Sequence, residues 1–393
     1  MEKSSTYCKL SHVGVAVQNF ADYCSCNVNK MSWKDNDHNV MRVYSHPLSQ
    51  AQNSYTRKVI ATSLDHGIKH PSCKVCWDQE EAGHRSPRLQ FNDQLSDVSG
   101  TSHEQPRVVI IKPGNTCNMA CRMCNPATSS SWYADAYQLA GKPGSFKEYT
   151  KTFETIRTSF NTNSLEFWNT LKEWSENLAV IDIYGGEPFL IPAMFDMLDH
   201  AVTRGFAKQI SININTNASI WNQHYVDVLK QFRHVHFKIS LDAVDKKQFE
   251  YIRHKSNMEQ VEKVATKFIT EFQNLNNIDM QGILTITPLN VYYAGTDIIK
   301  LREKFKIPVV ENIVTTPEYD IRHLPTPVKQ QLINQSTSSK IKNFLKITIP
   351  GCDVHWPEFC KVTDQLDTIR NQSFAKTFPE WWEIIKPYWT HGQ

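Results

Sequence analysis

From residue 107 onward, short apolar runs alternate with stretches whose hydrophobic positions recur at helical spacing. The runs at 107–112, 179–184, 210–215, 235–241, 280–287 and 309–314 read as strands. Between them the pattern predicts helices over 192–204, closed by Gly205, over 221–232 and over 259–272. Repeated strand-then-helix units imply an α/β fold with a parallel sheet covered by helices. Such a sheet is either open and doubly wound or curled into a partial (βα)6 barrel. In both cases the loops that carry function lie at the C-terminal ends of the strands.

The flanking regions follow other patterns. Within 1–85, Val13, Val15 and Val17 alternate at strand period in a hairpin-like stretch. A helical stretch then stops near Gly67, with Pro71 beyond it, and a polar helix follows that is led by Cys73 and Cys76. Residues 86–105 are polar, poor in aliphatics, and read as a linker to a core over 106–320. The first repeat carries a long insertion between Gly141 and Leu178. Its Phe153, Phe160, Phe167, Trp168 and Trp174 fall at roughly helical spacing, which assigns them to packing. Residues 321–393 form a C-terminal extension, polar at first and rich in Trp and Phe at its end.

Composition narrows the class. The chain has 393 residues, 40% of them hydrophobic, enough for a sizeable core and two to three domains. A formal net charge of +3 gives little electrostatic support for nucleic acid or membrane partners. No apolar run approaches the roughly 20 residues that span a bilayer, and the N-terminus lacks a secretory layout, so a cytoplasmic protein is expected. In that compartment ten cysteines argue for metal or cluster binding rather than disulfides. They are grouped: Cys8, Cys24 and Cys26; Cys73 and Cys76; Cys117, Cys121 and Cys124; Cys352 and Cys360.

The third group has the spacing C-x3-C-x2-C, on a loop straight after the first strand of the core. Three thiolates offered to a [4Fe–4S] cubane leave one iron free to bind something else. Structural zinc is the competing reading, but zinc sites usually take paired ligands, and no His or fourth Cys lies nearby in sequence.

This trio resembles the cluster motif of the radical S-adenosylmethionine (SAM) enzymes. In that family SAM chelates the vacant iron, and an electron from the cluster cleaves it to methionine and a 5′-deoxyadenosyl radical. Gly185, Gly186, Glu187 and Pro188, at the end of the second strand, match the family's GGEP segment, which contacts the SAM amino group. Glycines permit close backbone approach, and Glu187 and backbone carbonyls can accept hydrogen bonds from an ammonium. Asn215, Thr216 and Asn217 follow the third strand, where the family often has polar groups for SAM's ribose or carboxylate. Ser240 and Asp242 follow the fourth, and Arg253 resembles a family arginine near the SAM carboxylate. Asn290 follows the fifth strand with a weaker signal. Met123 stands where the family usually has an aromatic near adenine. Strand-end caps and surface ion pairs are the plain alternatives for these polar groups.

Cys8, Cys24, Cys73 and Cys76 supply four further thiolates. Their segments resemble the twitch and SPASM modules, auxiliary-cluster extensions of radical SAM proteins, as does SSSW at 129–132. The resemblance covers most of residues 5–320. Two departures stand out: such modules usually follow the barrel, and CSC replaces adjacent cysteines, so Cys26 competes with Cys24. A zinc knot and plain reduced thiols remain open. Cys352 and Cys360 read as buried thiols.

The resemblance implies an enzyme using a [4Fe–4S] cluster with an open iron site and SAM, with electron transfer through an auxiliary iron–sulfur cluster. It implies a peptide or small-molecule substrate and a reductant such as flavodoxin or ferredoxin. No general base is assigned. The alternatives are a non-catalytic iron–sulfur carrier or redox sensor, which needs no SAM pocket, and RNA modification, which requires a basic patch.

Overall fold

The computed structural model describes residues 4–17, 22–24, 26, 31–51, 53–81, 85–96, 105–159 and 165–390. All six expected strands form: β3 (Val108–Ile111), β4 (Val180–Ile183), β5 (Ser211–Thr216), β6 (His234–Ser240), β7 (Ile278–Ile286) and β8 (Val309–Ile313). Each pairs in parallel with the next. The helices between them include Pro192–Thr203, Gln223–Leu229 and Met258–Phe272, each close to its expected span.

The N-terminal hairpin joins this sheet. β1 (Gly14–Val17) pairs in parallel with β3, and β2 (Tyr23–Cys24) pairs antiparallel with β1. The result is one sheet in the order β2-β1-β3-β4-β5-β6-β7-β8, with β2 and β8 as its edges. The valine alternation expected in β1 does not persist as one exposed and one covered face: all four residues are buried, as in β3. The stretch expected to be a linker contains the helix Pro87–Gln94, capped by Ser86, with Phe91 buried. Residues 97–104 of that stretch lie outside the described residues.

Strands β5 and β6 alternate strictly between buried and half-buried positions. Ile212, Ile214, Val235, Phe237 and Ile239 point into the main core. The other face is polar. Asp182, Asn213, His236, Lys238 and Gln281 line a cavity of about 470 Å³ that the Pro87–Gln94 helix closes from one side. A sheet packed on helices through one face and lined by polar groups on the other shows this alternation, whereas β1 and β3 are buried at every position.

The insertion and the extension complete the core. Phe167, Trp168 and Trp174 are buried as expected, Phe153 packs on Tyr133 and Tyr149, and Phe160 lies outside the described residues. In the extension, Trp356, Phe359, Phe374, Phe378, Trp381 and Trp389 are buried together, and Cys360 is buried beside them. Among the described residues no helix is long and apolar enough to cross a membrane.

Candidate functional site

Beyond β3 the chain enters a loop that carries Cys117, Cys121 and Cys124 and is fastened from several directions. Asn115, fully buried, donates from Nδ2 to Pro126 O at 2.7 Å and to Tyr133 Oη at 2.8 Å. Ser129 Oγ donates to Met119 O, Ser131 Oγ to Cys117 O, and Trp132 Nε1 to Cys121 O, at 2.6, 2.8 and 2.8 Å. The SSSW stretch therefore braces the loop. From the other side, Ala120 N donates to His254 O and Arg122 N to Ile252 O, both at 2.8 Å. A buried backbone without regular structure needs such partners for its polar groups.

The GGEP turn packs directly on this loop. Gly186 has a φ of +59°, and a Cβ there would stand 2.5 Å from Thr116 O. Glu187 N donates to that same oxygen at 2.8 Å. The Glu187 carboxylate is fully buried and accepts from Thr216 Oγ1 (2.8 Å), Asn217 N (2.7 Å) and Phe189 N (3.1 Å). Those bonds take three of a carboxylate's roughly four acceptor positions. Glu187 is thus an anchor between the ends of β4 and β5 rather than a free acceptor. Pro188 opens the short 3-10 turn Pro188–Leu190, which Glu187 caps.

At the exit of β5, Asn217 Nδ2 donates to Asn118 Oδ1 at 3.0 Å and lies 3.9 Å from Cys117 Sγ. Ala218 follows at a φ of +53°, so the turn is held in a conformation uncommon for a residue with a side chain. Asn215 and Ser240 are half-buried on the polar face of β5 and β6. Asp242, after β6, is buried and accepts from Arg253 Nη1 at 2.6 Å and from Thr285 N at 2.8 Å. Asn290 is spent on Asp242 O, Thr285 O and Thr287 N, a purely local fastening. Met123 is half-buried against the main core.

Arg253 is itself buried and lies close enough to Cys121 and Cys124 to interact electrostatically with both. Burial, then the neighbouring Cys121, pushes the Cys117 thiol up to about 11. Cys121 and Cys124 hydrogen-bond to each other, which draws Cys121 down to about 7 and pushes Cys124 well up. The structure therefore brings three soft sulfur donors, a cation and the GGEP turn to one end of the sheet. One observation suits a cluster with an organic ligand: the buried Arg253 Nε, beside the cysteines, has no hydrogen-bond partner in the protein.

A second cysteine group forms on the other side of β1. Cys8 precedes the helix Lys9–Val13, Cys73 ends the turn Pro71–Cys73, and Cys76 lies in the helix Lys74–Glu81. These three line one pocket together with Cys26. Cys24, expected in this set, does not line it. Its position is fixed by the β2 ladder opposite Ala16, and its Sγ donates to Ala16 O at 3.5 Å and Cys26 O at 3.4 Å. Cys26 lies past the strand end and is placed at the pocket instead. Arg88 borders the pocket, held by Glu80 at 2.6 Å.

Among the described residues no three of the thiol sulfurs, in either group, lie within 4.8 Å of one another.

Sequence reasoning overlooked Arg122. It is 1% exposed, stacks 3.6 Å from the Tyr251 ring centroid, and donates to Asp367 Oδ1 at 2.5 Å. Tyr319 Oη donates to Arg122 O at 2.5 Å. A buried arginine inside the cysteine motif was the available signal, but its ion-pair partner, Asp367, lies in the C-terminal extension.

The radical SAM superfamily profile matches residues 111–281, so a domain of that superfamily spans this part of the chain. The match supports an enzyme, with the reaction unspecified. No curated protein matches the chain. Among solved structures, the chain is similar to "Native anSMEcpe with bound AdoMet" at 15% identity and a TM-score of 0.39, covering 58% of this chain and 59% of that one. It is also similar to Streptococcus suis SuiB bound to precursor peptide SuiA, at 13% identity and a TM-score of 0.37, covering 96% and 80%. The chain thus spans less than two thirds of the first of these structures.

Proposed function

We propose that this chain is a radical SAM enzyme acting on a peptide or small molecule, with Cys117, Cys121 and Cys124 as the thiolates of a [4Fe–4S] cluster. Bound together, such a cluster and SAM supply reductive cleavage to methionine and a 5′-deoxyadenosyl radical, which takes hydrogen from an unactivated C–H bond. The observation that carries the reading is the packing of the GGEP turn onto the cysteine loop, through Glu187 N and Thr116 O at 2.8 Å. It brings the turn that carries Gly185 and Gly186 onto the cysteine loop, and we read the carbonyls of that turn as acceptors for an ammonium. Glu187 fixes that turn against Thr216 and Asn217. Arg253, oriented by Asp242, brings a positive charge to the thiolates and to a ligand carboxylate.

The four-cysteine pocket supports a second iron–sulfur centre on Cys8, Cys26, Cys73 and Cys76, in the manner of a twitch-like module placed before the core. Full ligation by four thiolates suits electron transfer or a structural role. A flavodoxin or ferredoxin would provide the initial electron, and the cytoplasm would provide the reducing setting.

Anaerobic reconstitution followed by dithionite and SAM tests the reading. The expected product is 5′-deoxyadenosine, with roughly eight irons per chain for two cubanes. Replacing Cys117, Cys121 and Cys124 by Ala should remove the product and about four irons while leaving the rest bound. An electron carrier would yield no nucleoside, and that result would overturn the proposal.

A further inference from the structure

The far end of the sheet carries a cluster that the cysteine chemistry does not use. His234 opens β6, His236 follows two residues later on the same face, and Asp279 on β7 is the register partner of His236. One ligand atom from each lies within 4.8 Å of the other two. His234 Nε2 stands 2.9 Å from Asp279 Oδ2, and His236 Nδ1 stands 3.5 Å from the same oxygen. The two rings are 4.4 Å apart and inclined at 62°.

We propose that His234, His236 and Asp279 form a site for a divalent transition-metal ion of the zinc, cobalt or nickel class, separate from the iron–sulfur centres. The donor set is two imidazoles and a carboxylate on one face, a combination suited to such ions and open on its remaining sides. With metal–ligand bonds of about 2.0–2.1 Å, two ligands stand about 3.3 Å apart in a tetrahedron and about 2.9 Å apart as octahedral neighbours. The measured 2.9 and 3.5 Å lie around those values. A hydrogen bond alone accounts for His234 but not for His236, whose 3.5 Å separation exceeds a normal N–H···O bond.

Rigid placement follows from the strands. Positions i and i+2 of β6 and a cross-strand neighbour on β7 are fixed by the ladder rather than by a loop, which preorganises the three groups. The open side has room for water or a ligand. Its half-exposed groups face the lumen end, where His236 and Lys238 border the 470 Å³ cavity. Ser240, at the opposite end of β6, is about 13 Å along the strand from His236. The ion would therefore pin β6 to β7 at the N-terminal mouth, away from the cysteine trio.

Cobalt titration of the full chain, after anaerobic iron–sulfur reconstitution and desalting, is the test. Cobalt on imidazole and carboxylate gives weak visible d–d bands, whereas cobalt on thiolate adds intense sulfur-to-metal charge transfer in the near ultraviolet. The expected result is a single cobalt ion per chain by elemental analysis, with d–d bands only. Asp279→Asn, at a residue whose side chain is 59% exposed and replaceable without unfolding, should weaken binding at least tenfold. His234→Ala with His236→Ala should abolish it while SAM cleavage stays at the wild-type level. Equal cobalt uptake by the double variant, uptake seen only through thiolate charge transfer, or no uptake by the wild type would each overturn the proposal.

Discussion

Replacing Gly186 by Ala tests whether close backbone approach holds the two halves of the site together. Two costs follow from the structure. The residue has a φ of +59°, which costs a residue bearing a Cβ about 1–2 kcal/mol. The new Cβ would also stand 2.5 Å from the backbone oxygen of Thr116, a distance that side-chain carbons essentially never adopt. Relief to a tolerable contact of 3.0 Å separates the two segments by about half an ångström, since the obstacle is backbone and not a flexible side chain. That shift stretches or breaks the bond from Glu187 N to Thr116 O, worth about 0.5–1.5 kcal/mol. The sum is about 1.5–3.5 kcal/mol, or roughly 13- to 400-fold in an equilibrium constant. SAM affinity by anaerobic equilibrium dialysis, and 5′-deoxyadenosine yield, should fall by that order while iron content is retained. Gly205→Ala is the matched control, because it has a φ of +80° with nothing within 4 Å of the added carbon. It carries the conformational cost alone and lies outside the site. If Gly186→Ala bound SAM as well as Gly205→Ala does, the claim that this contact positions the GGEP turn would be wrong.

Further outcomes follow from other contacts. Cys26→Ser should lower the iron retained by a trio-less variant, and Cys24→Ser should leave it unchanged; the reverse pattern in an iron assay would restore Cys24 to the ligand set. Arg122→Met leaves Asp367, 16% exposed, without its cation and should cost about 3–5 kcal/mol in urea unfolding; a loss under 1 kcal/mol would refute the clamp. Burial pushes the Asp182 carboxyl up to about 6, with Lys238 acting in opposition. A raised carboxyl binds its proton more tightly when folded, so its contribution is complete at low pH and is lost as pH rises from about 4 to 6. Because Asp182 is only half-buried beside this cavity, the change should be about 1–2 kcal/mol, and Asp182→Asn should flatten that part of the pH–stability profile.

The sequence by itself determined the strand–helix alternation, because apolar periodicity is a local property that survives translation into structure. It also located the cysteine trio and GGEP at strand ends, since each motif follows its strand directly. Several matters were decided only by tertiary structure. Whether the N-terminal hairpin stood apart or joined the sheet depended on which edge β1 could reach, and it reached β3. Cys24 and Cys26 differ by two positions, and no local rule separates them. The β2 ladder holds the first against Ala16, while the second lies past the strand end at the pocket. The role of Glu187 likewise turned on Thr216 and Asn217, which come from a different strand end. Arg122 acquired meaning only when Asp367 arrived from 245 residues away. Periodicity fixes which face of an element is covered, but the partner that covers it is chosen by contacts between segments distant in sequence. Those contacts decide which polar groups at a site are free to act and which are already spent holding it in place.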